Sequence, residues 1–234
     1  MLTNWNQPRR GRTLLLLNPQ GKTTIKRTVQ ARITESHIVE AAAQVFSRHG
    51  FNGTSTREIA RRAEVPEATM FRHFPRKQDL FWAALVSHLD RLRMPEKLRT
   101  GLARNGDPQT VVPLIAEFMV QTTIHHPELV RMLAFSLLEL RVEAEPIYRQ
   151  RLVPIFQAII DYLAGCVTRR VLRSVDPSFV ALSFAFTILA HQELCQLFTT
   201  ASTRSADAEK EAVITYSSLW LNALLPASTV VKPI

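Results

Sequence analysis

The sequence predicts an all-α protein with a small N-terminal helical domain followed by a larger helical domain. Glycine is scarce, at 7 of 234 residues, and hydrophobic residues make up 46% of the chain, which suits a compact helical core. From Pro108 onward the apolar residues recur with helical spacing. We therefore divide the chain into a tail over residues 1–32, a three-helix domain over residues 33–80 and a helical domain over residues 81–234.

The tail carries most of the net charge of the chain. The formal charge is +9, and residues 1–32 contain seven basic and no acidic residues, so the remaining sequence is nearly neutral. Pro8, Gly11, Pro19 and Gly21 interrupt the tail, which shows no clean period, and we expect it to be disordered or only partly ordered. A basic arm of this kind would add phosphate contacts beside a DNA-binding domain.

The first helix is expected to begin near Thr34, a plausible N-cap, and to end at His49, where Gly50 supplies a stop. Residues 55–74 then form two short helices joined by a tight turn. Ser55 and Glu58 have the spacing of a capping box, in which each side chain accepts from the backbone amide of the other residue. This pair of short helices has the geometry of a helix-turn-helix, whose second helix enters the major groove.

Three segments carry a resemblance to a known family: ITESHIVEAAAQVFSRHGFNGTSTREIA, RRAEVPEATMFRHF and PRKQDLFWAAL. They include the Gly50-Phe51 pair before the second helix and Lys77 at the opening of the fourth. By these motifs residues 34–85 resemble the N-terminal domain of the TetR family of bacterial transcription regulators. The resemblance implies a helix-turn-helix DNA-binding domain, followed by a C-terminal helical domain for ligand binding and dimerisation.

Three residues depart from the pattern of that family. Glu64 stands where glycine is usual, so we expect a non-glycine residue at positive φ, at a cost of about 1–2 kcal/mol. Phe71 replaces a tyrosine and lacks its hydroxyl, and Glu67 makes the start of the recognition helix acidic.

The side chains of the two short helices suit contacts with double-stranded DNA. Arg72 suits guanine and Thr69 suits a thymine methyl group. Glu67 either accepts from a cytosine amino group or only favours the helix N-terminus, and Ser55 either holds a phosphate or serves only as a cap. The predicted DNA-binding residues are Thr54, Ser55, Arg57, Glu67, Thr69, Phe71, Arg72, His73 and Lys77.

Further helices follow in order along the chain. We predict a fourth helix over residues 76–93, a loop or short broken helix over 94–107, and helices starting at Pro108 and Pro127. A long helix over residues 146–173, bent at Pro154, comes next. The last two helices, over about 177–198 and 207–225, are the predicted homodimer interface, because the run from Phe179 to Ala190 is apolar all round.

The resemblance implies a small-molecule effector site inside the C-terminal helices but does not identify the effector. Such sites are mostly apolar with a few polar anchors. For each aromatic residue or methionine, plain core packing is the competing interpretation. The candidate effector-binding residues are Phe118, Thr122, His125, Met132, Phe135, Glu139, Phe156, Tyr162, Phe184 and His191.

Other kinds of site find little support in the sequence. Cys166 and Cys195 lie in apolar helical stretches and are expected to be core thiols. His125, His126 and Glu128 lack the spacing of a metal-binding helix, so we predict no metal site and no cofactor. We find no catalytic constellation and no apolar stretch long enough to span a bilayer, and we expect a cytoplasmic protein that is not an enzyme.

The sequence therefore predicts a homodimeric regulator, most simply a repressor, that reads a palindromic operator and is released by a small apolar or amphipathic ligand. One alternative is a regulator of the same fold without a small-molecule effector, which would have a filled C-terminal core. Another is a helical ligand carrier or enzyme that lacks operator binding.

Overall fold

The computed structural model describes residues 21–198 and 206–226, and over these ranges the chain folds into eleven α-helices. They are α1 (Gly21–His49), α2 (Thr56–Arg62), α3 (Glu67–His73), α4 (Lys77–Arg91), α5 (Glu96–Ala103), α6 (Pro108–His125), α7 (Pro127–Glu139), α8 (Arg141–Arg151), α9 (Val153–Thr168), α10 (Pro177–Phe198) and α11 (Ala206–Leu224). The described ranges contain no strand, which confirms the all-α prediction.

The first helix begins earlier than predicted. The hydroxyl of Thr34 donates to the carbonyl of Gln30 at 2.9 Å, a bond made inside a helix and not at its start. The predicted start at Thr34 is therefore wrong: residues 21–32, part of the tail expected to be disordered or only partly ordered, are helical, and no proline interrupts them. The rest of the predicted disordered tail, residues 1–20, lies outside the described residues.

Helices α1 to α4 pack around an aromatic core. The rings of Phe46 and Phe81 meet edge to face with centroids 4.9 Å apart. Ile59 of α2 and Met70 of α3 are buried in the same core. Two fully buried residues of α7, Leu129 and Met132, also belong to it. The N-terminal unit is thus joined to the rest of the chain by a shared core and not only by its linker.

Helices α5 to α11 form the larger unit, with α6 at its centre against α5, α7, α10 and α11. Apolar residues of α6, including Val112 and Ile115, are buried there. The carboxylate of Asp176 accepts from the amides of Ser178 and Phe179 at 2.8 and 3.3 Å, so it caps α10 as predicted.

The predicted long helix over residues 146–173 is two helices in the structure. Helix α8 starts at Arg141, five residues before the predicted start, and α9 follows at an angle of 61° after Leu152. The bend predicted at Pro154 lies two residues earlier, at Leu152. Pro154 has no amide hydrogen, so it cannot donate the backbone hydrogen bond that would continue α8 into α9. The predicted loop over residues 94–107 contains the short helix α5.

Within residues 21–198 and 206–226, no individual helix has both the length and the apolar character to cross a bilayer, and only the bent pair of α8 and α9 meets those criteria jointly.

Candidate nucleic-acid interface and ligand cavity

The second short helix, α3, has a buried side and an exposed side. Met70 is 1% exposed and Phe74, at the C-cap, is 8% exposed. Arg72 is exposed, and Phe71 is 40% exposed although it is a large apolar side chain. Two adjacent side chains, one cationic and one aromatic, are therefore available to a partner, while Met70 anchors the helix in the core.

The turn between α2 and α3 adopts the predicted strained conformation. Glu64 has a φ of 55°, which confirms the prediction made from its replacement of glycine. The amide of Val65 donates to the carbonyl of Ala60 at 3.0 Å and the amide of Glu64 to that of Arg61 at 3.3 Å. These are the two hydrogen bonds of a Schellman motif, in which glycine normally occupies the position of Glu64.

The start of α2 forms half of the predicted capping box. The hydroxyl of Ser55 accepts from the amide of Glu58 at 3.2 Å, as predicted. The carboxylate of Glu58 instead lies 3.8 Å from Nε2 of His49, on the preceding helix. Ser55 is exposed, so its cap role leaves it accessible to a phosphate.

Two of the predicted DNA contacts have structural partners within the protein. Thr54 is 4% exposed and its hydroxyl donates to the carbonyl of Gly50 at 2.7 Å, so the prediction of a phosphate contact through this side chain is wrong. Glu67 accepts from the hydroxyl of Thr56 at 2.6 Å, which ties the start of α3 to the start of α2. The carboxylate thus has a structural function, whether or not it also reads a base.

Lys77, at the start of α4, is half-buried. Its ammonium group lies 4.7 Å from the ring centroid of Phe51. Desolvation lowers the pKa of Lys77, and the nearby carboxylate of Glu139 opposes that shift. Of the remaining predicted contacts, Arg57 is exposed, and Thr69 and His73 are half-buried on α3.

The larger unit contains an apolar cavity of about 200 Å³. Its walls come from five helices, α6 to α10, and from Leu92 after α4. The lining residues are Leu92, Phe118, Met119, Thr122, Leu129, Val130, Leu133, Leu137, Tyr148, Leu152, Ile155, Phe156, Phe186 and Leu189. A cavity of this size and composition suits a small, largely apolar molecule.

The two hydroxyl groups in the lining are already hydrogen-bonded to the protein. The hydroxyl of Thr122 donates to the carbonyl of Phe118 at 2.7 Å. The hydroxyl of Tyr148 lies 3.1 Å from the carbonyl of Leu133 and also contacts the hydroxyl of Ser136. Burial raises the pKa of Tyr148, so the phenol stays neutral near neutral pH. Among the described residues, none that lines the cavity is charged.

Three of the ten predicted effector-binding residues, Phe118, Thr122 and Phe156, line this cavity. The other seven do not, and their environments explain why. Met132 lies in the core shared with the N-terminal unit, while Phe135 and Glu139 lie against Gly50.

The remaining four also lie outside the cavity lining. The hydroxyl of Tyr162 donates to the carbonyl of Gly106 at 3.0 Å. Phe184 packs edge to face on Trp220, with ring centroids 4.7 Å apart. His191 contacts the hydroxyl of Tyr216, and His125 ends α6.

Sequence reasoning missed most of the cavity lining. Leu129, Leu133 and Leu137 recur every four residues on α7, a signal that was present but equally typical of plain core packing. Tyr148 and Phe186 lie on helices whose positions next to the cavity follow from the tertiary fold alone.

The last two helices expose apolar side chains. Phe179 is 71% exposed and Phe186 56% exposed on α10, and Ile214 is 66% exposed and Leu219 57% exposed on α11. Solvated side chains of this size, on adjacent helices, are typical of a surface that is covered by another protein.

Neither a metal site nor a disulfide is supported by the described residues. They contain no group of three or more His, Cys, Asp or Glu that could hold a metal ion. Cys166 is a buried free thiol, as expected, whereas the side chain of Cys195 lies outside the described residues.

Comparison with known proteins identifies relatives of this chain. Residues 38–84 match the family model described as bacterial regulatory proteins, tetR family. An uncharacterized HTH-type transcriptional regulator, YvkB of Bacillus subtilis, is 46% identical over 57 residues, or 24% of this chain and 30% of that protein. The matched part of YvkB is thus less than a third of its length.

Two further similarities extend beyond the N-terminal unit. The HTH-type transcriptional regulator RutR of Escherichia coli K12 is 27% identical over 160 residues, which are 67% of this chain and 72% of RutR. The crystal structure of AibR in complex with isovaleryl coenzyme A and operator DNA has a TM-score of 0.63 at 16% identity, covering 80% of this chain and 97% of AibR. That likeness shows a shared fold.

Proposed function

We propose that this chain is a DNA-binding transcription regulator of the TetR family and not an enzyme, and that it acts as a homodimeric repressor released from a palindromic operator by a small apolar ligand. The exposed side of α3 would enter the major groove, with Arg72 on base edges. A dimer seated on an operator within a promoter would exclude the polymerase. Such a regulator would act in the cytoplasm, where the bacterial chromosome lies.

The structural observation that carries this proposal is the double role of α7. Leu129, Val130, Leu133 and Leu137 of this helix line the cavity, and Met132 of the same helix is buried in the core of the N-terminal unit. A molecule in the cavity would therefore touch the helix on which the DNA-binding unit rests. A ligand can shift the DNA-binding equilibrium only through such differential contacts.

The lining argues for an uncharged, largely apolar ligand. A charged group placed against walls of leucine, isoleucine and phenylalanine would lose its hydration without gaining a partner. The hydroxyls of Thr122 and Tyr148 could each accept a hydrogen bond from one polar group of the ligand. The open volume also counts against a regulator of this fold without an effector, for which a filled core is expected.

The exposed apolar side chains of α10 and α11 support a homodimer. Phe186 is 56% exposed and also lines the cavity, so a second copy seated on α10 would help to close the cavity mouth. Dimerisation and ligand enclosure would then be achieved by the same surface.

The proposal is tested first by selection from random DNA duplexes with the full-length chain at physiological salt, about 0.15 M. We expect an enriched palindrome with half-sites about 34–36 Å apart, or a multiple of that distance. Light scattering should give the mass of a dimer. A folded dimer that enriches no sequence would overturn the regulator proposal and favour a ligand carrier.

The ligand part is tested with N-phenyl-1-naphthylamine, an uncharged apolar dye that fluoresces in apolar surroundings. We expect saturable fluorescence at one site per chain and a weaker affinity for the selected operator when the dye is bound. Dye binding that leaves operator affinity unchanged would contradict release by ligands of this class.

A further inference from the structure

The turn between α1 and α2 is held by the end of α7. The backbone amide of Asn52, in this turn, donates to Oε2 of Glu139 at 2.6 Å. Glu139 is the last residue of α7, and 87 positions separate the two residues in the sequence. A carboxylate of the larger unit therefore binds the backbone of the DNA-binding unit directly.

The fit between Gly50 and α7 is close. Gly50 has a φ of 70°, and a Cβ atom added there would overlap the carboxylate of Glu139 and lie 2.9 Å from Cδ1 of Phe135. A residue with a Cβ would therefore be strained by its conformation and would displace the Glu139 carboxylate. The glycine of the Gly50-Phe51 pair is thus needed for contact with Glu139 as well as for the turn.

The same turn leads directly into the helix-turn-helix. The carbonyl of Gly50 accepts from the hydroxyl of Thr54, and the next residue, Ser55, caps α2. On the other side of the turn, Phe51 packs against the ammonium group of Lys77, which opens α4. The turn held by Glu139 therefore adjoins the starts of both α2 and α4.

The same helix, α7, also borders the cavity. Leu137, two residues before Glu139, lines it, together with Leu133 one turn earlier. Helix shifts in switching proteins are typically about 1–2 Å. A shift of that size along α7 would break a hydrogen bond of normal length between Glu139 and Asn52.

We propose that Glu139 is a positioning residue that transmits occupancy of the cavity to the helix-turn-helix, by holding the α1–α2 turn in its DNA-binding conformation. The proposal rests on the proposed function, because it specifies how that regulation is transmitted. With the cavity empty, the carboxylate holds the Asn52 amide and keeps Ser55 and α2 in place. With the cavity filled, α7 moves and the turn is released.

The test compares the full-length wild-type chain with Glu139→Ala and Glu139→Gln. Glu143→Ala is the matched control, because Glu143 is an exposed carboxylate on the following helix and its loss changes the net charge equally. For each protein we would measure operator affinity with and without saturating N-phenyl-1-naphthylamine, and the affinity for the dye itself. Thermal unfolding would verify that each variant is folded.

We expect the dye to weaken operator binding by about tenfold in the wild-type chain and in Glu143→Ala. In Glu139→Ala the ratio of the operator affinity without dye to that with dye should fall toward about 1. The affinity of the DNA-free variant for the dye should differ from that of the wild-type chain by no more than about tenfold. Glu139→Gln should recover part of the coupling, because its side-chain carbonyl can still accept from the Asn52 amide. A folded Glu139→Ala variant in which the dye still weakens operator binding by about tenfold, as in the wild-type chain, would overturn the proposal.

A second measurement separates failure of this inference from failure of the proposed function. Hydrogen exchange at the Asn52 amide needs no DNA, and we expect it to accelerate in Glu139→Ala, in the dye-saturated wild-type chain, and not in Glu143→Ala. If the dye leaves wild-type operator affinity unchanged while accelerating this exchange, release by the dye fails and the positioning role stands. If exchange at Asn52 is the same in all proteins and conditions, Glu139 does not hold the turn and the inference is wrong.

Discussion

The hydroxyl of Thr56 donates a 2.6 Å hydrogen bond to Oε1 of Glu67, which joins the first residue of α2 to the first residue of α3. Both helices are only seven residues long, too short to be stable alone in water. Their relative orientation depends on contacts of this kind and on the buried residues Ile59 and Met70.

Removing this bond should destabilise the protein without changing the DNA sequence it prefers. We expect Thr56→Val to lower the free energy of unfolding by about 1–2 kcal/mol, because the acceptor is a carboxylate. Urea denaturation of the full chain measures this loss of stability. A separate DNA selection with Glu67→Gln tests whether the carboxylate affects the preferred sequence. A changed base preference in Glu67→Gln would mean that Glu67 also reads a base.

Glycine at position 64 should stabilise the chain. Glu64 adopts a φ of 55° in the Schellman turn, and a non-glycine residue there costs about 1–2 kcal/mol. Glu64→Gly should therefore raise the free energy of unfolding by about 1 kcal/mol, less the extra flexibility that glycine gives to the unfolded chain. Ala63→Gly, one residue earlier at a φ of −78°, is the control and should be destabilising. Equal effects of the two glycines would contradict this account.

Arg72 and Arg57 are expected to act differently on DNA. Both are exposed, but Arg72 is on α3 and Arg57 is at the start of α2. Arg72→Ala should weaken operator binding by about 1–3 kcal/mol and relax the preference at one base pair. Arg57→Ala should weaken binding to all duplexes alike and reduce the salt dependence. Binding isotherms over several salt concentrations measure both, and a uniform loss in Arg72→Ala would make it a phosphate contact.

The stability of the chain should depend on the protonation of His88. This residue on α4 is 5% exposed, Nε2 has no hydrogen-bond partner among the described residues, and desolvation lowers the pKa of its side chain. Glu40 and Glu128 favour the charged form, whereas Arg91 and His126 oppose it. The unfolded chain therefore binds the proton more tightly, and stability is lost as the pH falls below the ordinary pKa of about 6.5.

Replacing His88 tests this pH dependence. We expect His88→Leu to be at least as stable as the wild-type chain at about pH 8 and to lose less stability at about pH 5. Thermal unfolding at the two pH values measures the difference, with His37→Leu on the exposed part of α1 as control. Parallel losses in the wild-type chain and His88→Leu would show that other groups cause the acid sensitivity.

Filling the cavity should imitate a bound ligand. Ile155 lines the cavity from α9, outside the N-terminal unit of α1 to α4. Ile155→Trp should lower the affinity for N-phenyl-1-naphthylamine by about tenfold or more and weaken operator binding in the absence of dye. Gln157→Trp, on the exposed side of the same helix, is the control and should leave both affinities unchanged. Unaltered dye binding in Ile155→Trp would place the dye site elsewhere.

Local features of the N-terminal unit were predictable because they depend on neighbouring residues. The cap formed by Ser55, the positive φ of Glu64 and the burial of Met70 all follow from residue type and short-range spacing. The start of α1 at Gly21 was missed, because the sequence of residues 21–32 shows no apolar period. Thr54 was assigned to DNA because its hydroxyl suits a phosphate, and only the fold buries it against Gly50.

From the sequence, a ligand site could be predicted in the C-terminal helices, but most of the residues that line the cavity could not. On α7, residues Leu133 and Met132 are adjacent in sequence and equally apolar, yet of the two only Leu133 lines the cavity, whereas Met132 is fully buried in the core shared with the N-terminal unit. Glu139 was expected to anchor a ligand because a carboxylate on an apolar helix needs a partner. It has one, the amide of Asn52, but that amide belongs to a turn 87 residues away.

The sequence alone thus determined the helical class, the helix-turn-helix with its cap and strained turn, and the resemblance to a family of regulators, since each depends on short-range spacing and residue type. The tertiary structure alone decided which residues of α7 line the cavity and which are buried against the N-terminal unit. That choice depends on how helices pack against one another, and packing joins residues that no local pattern relates.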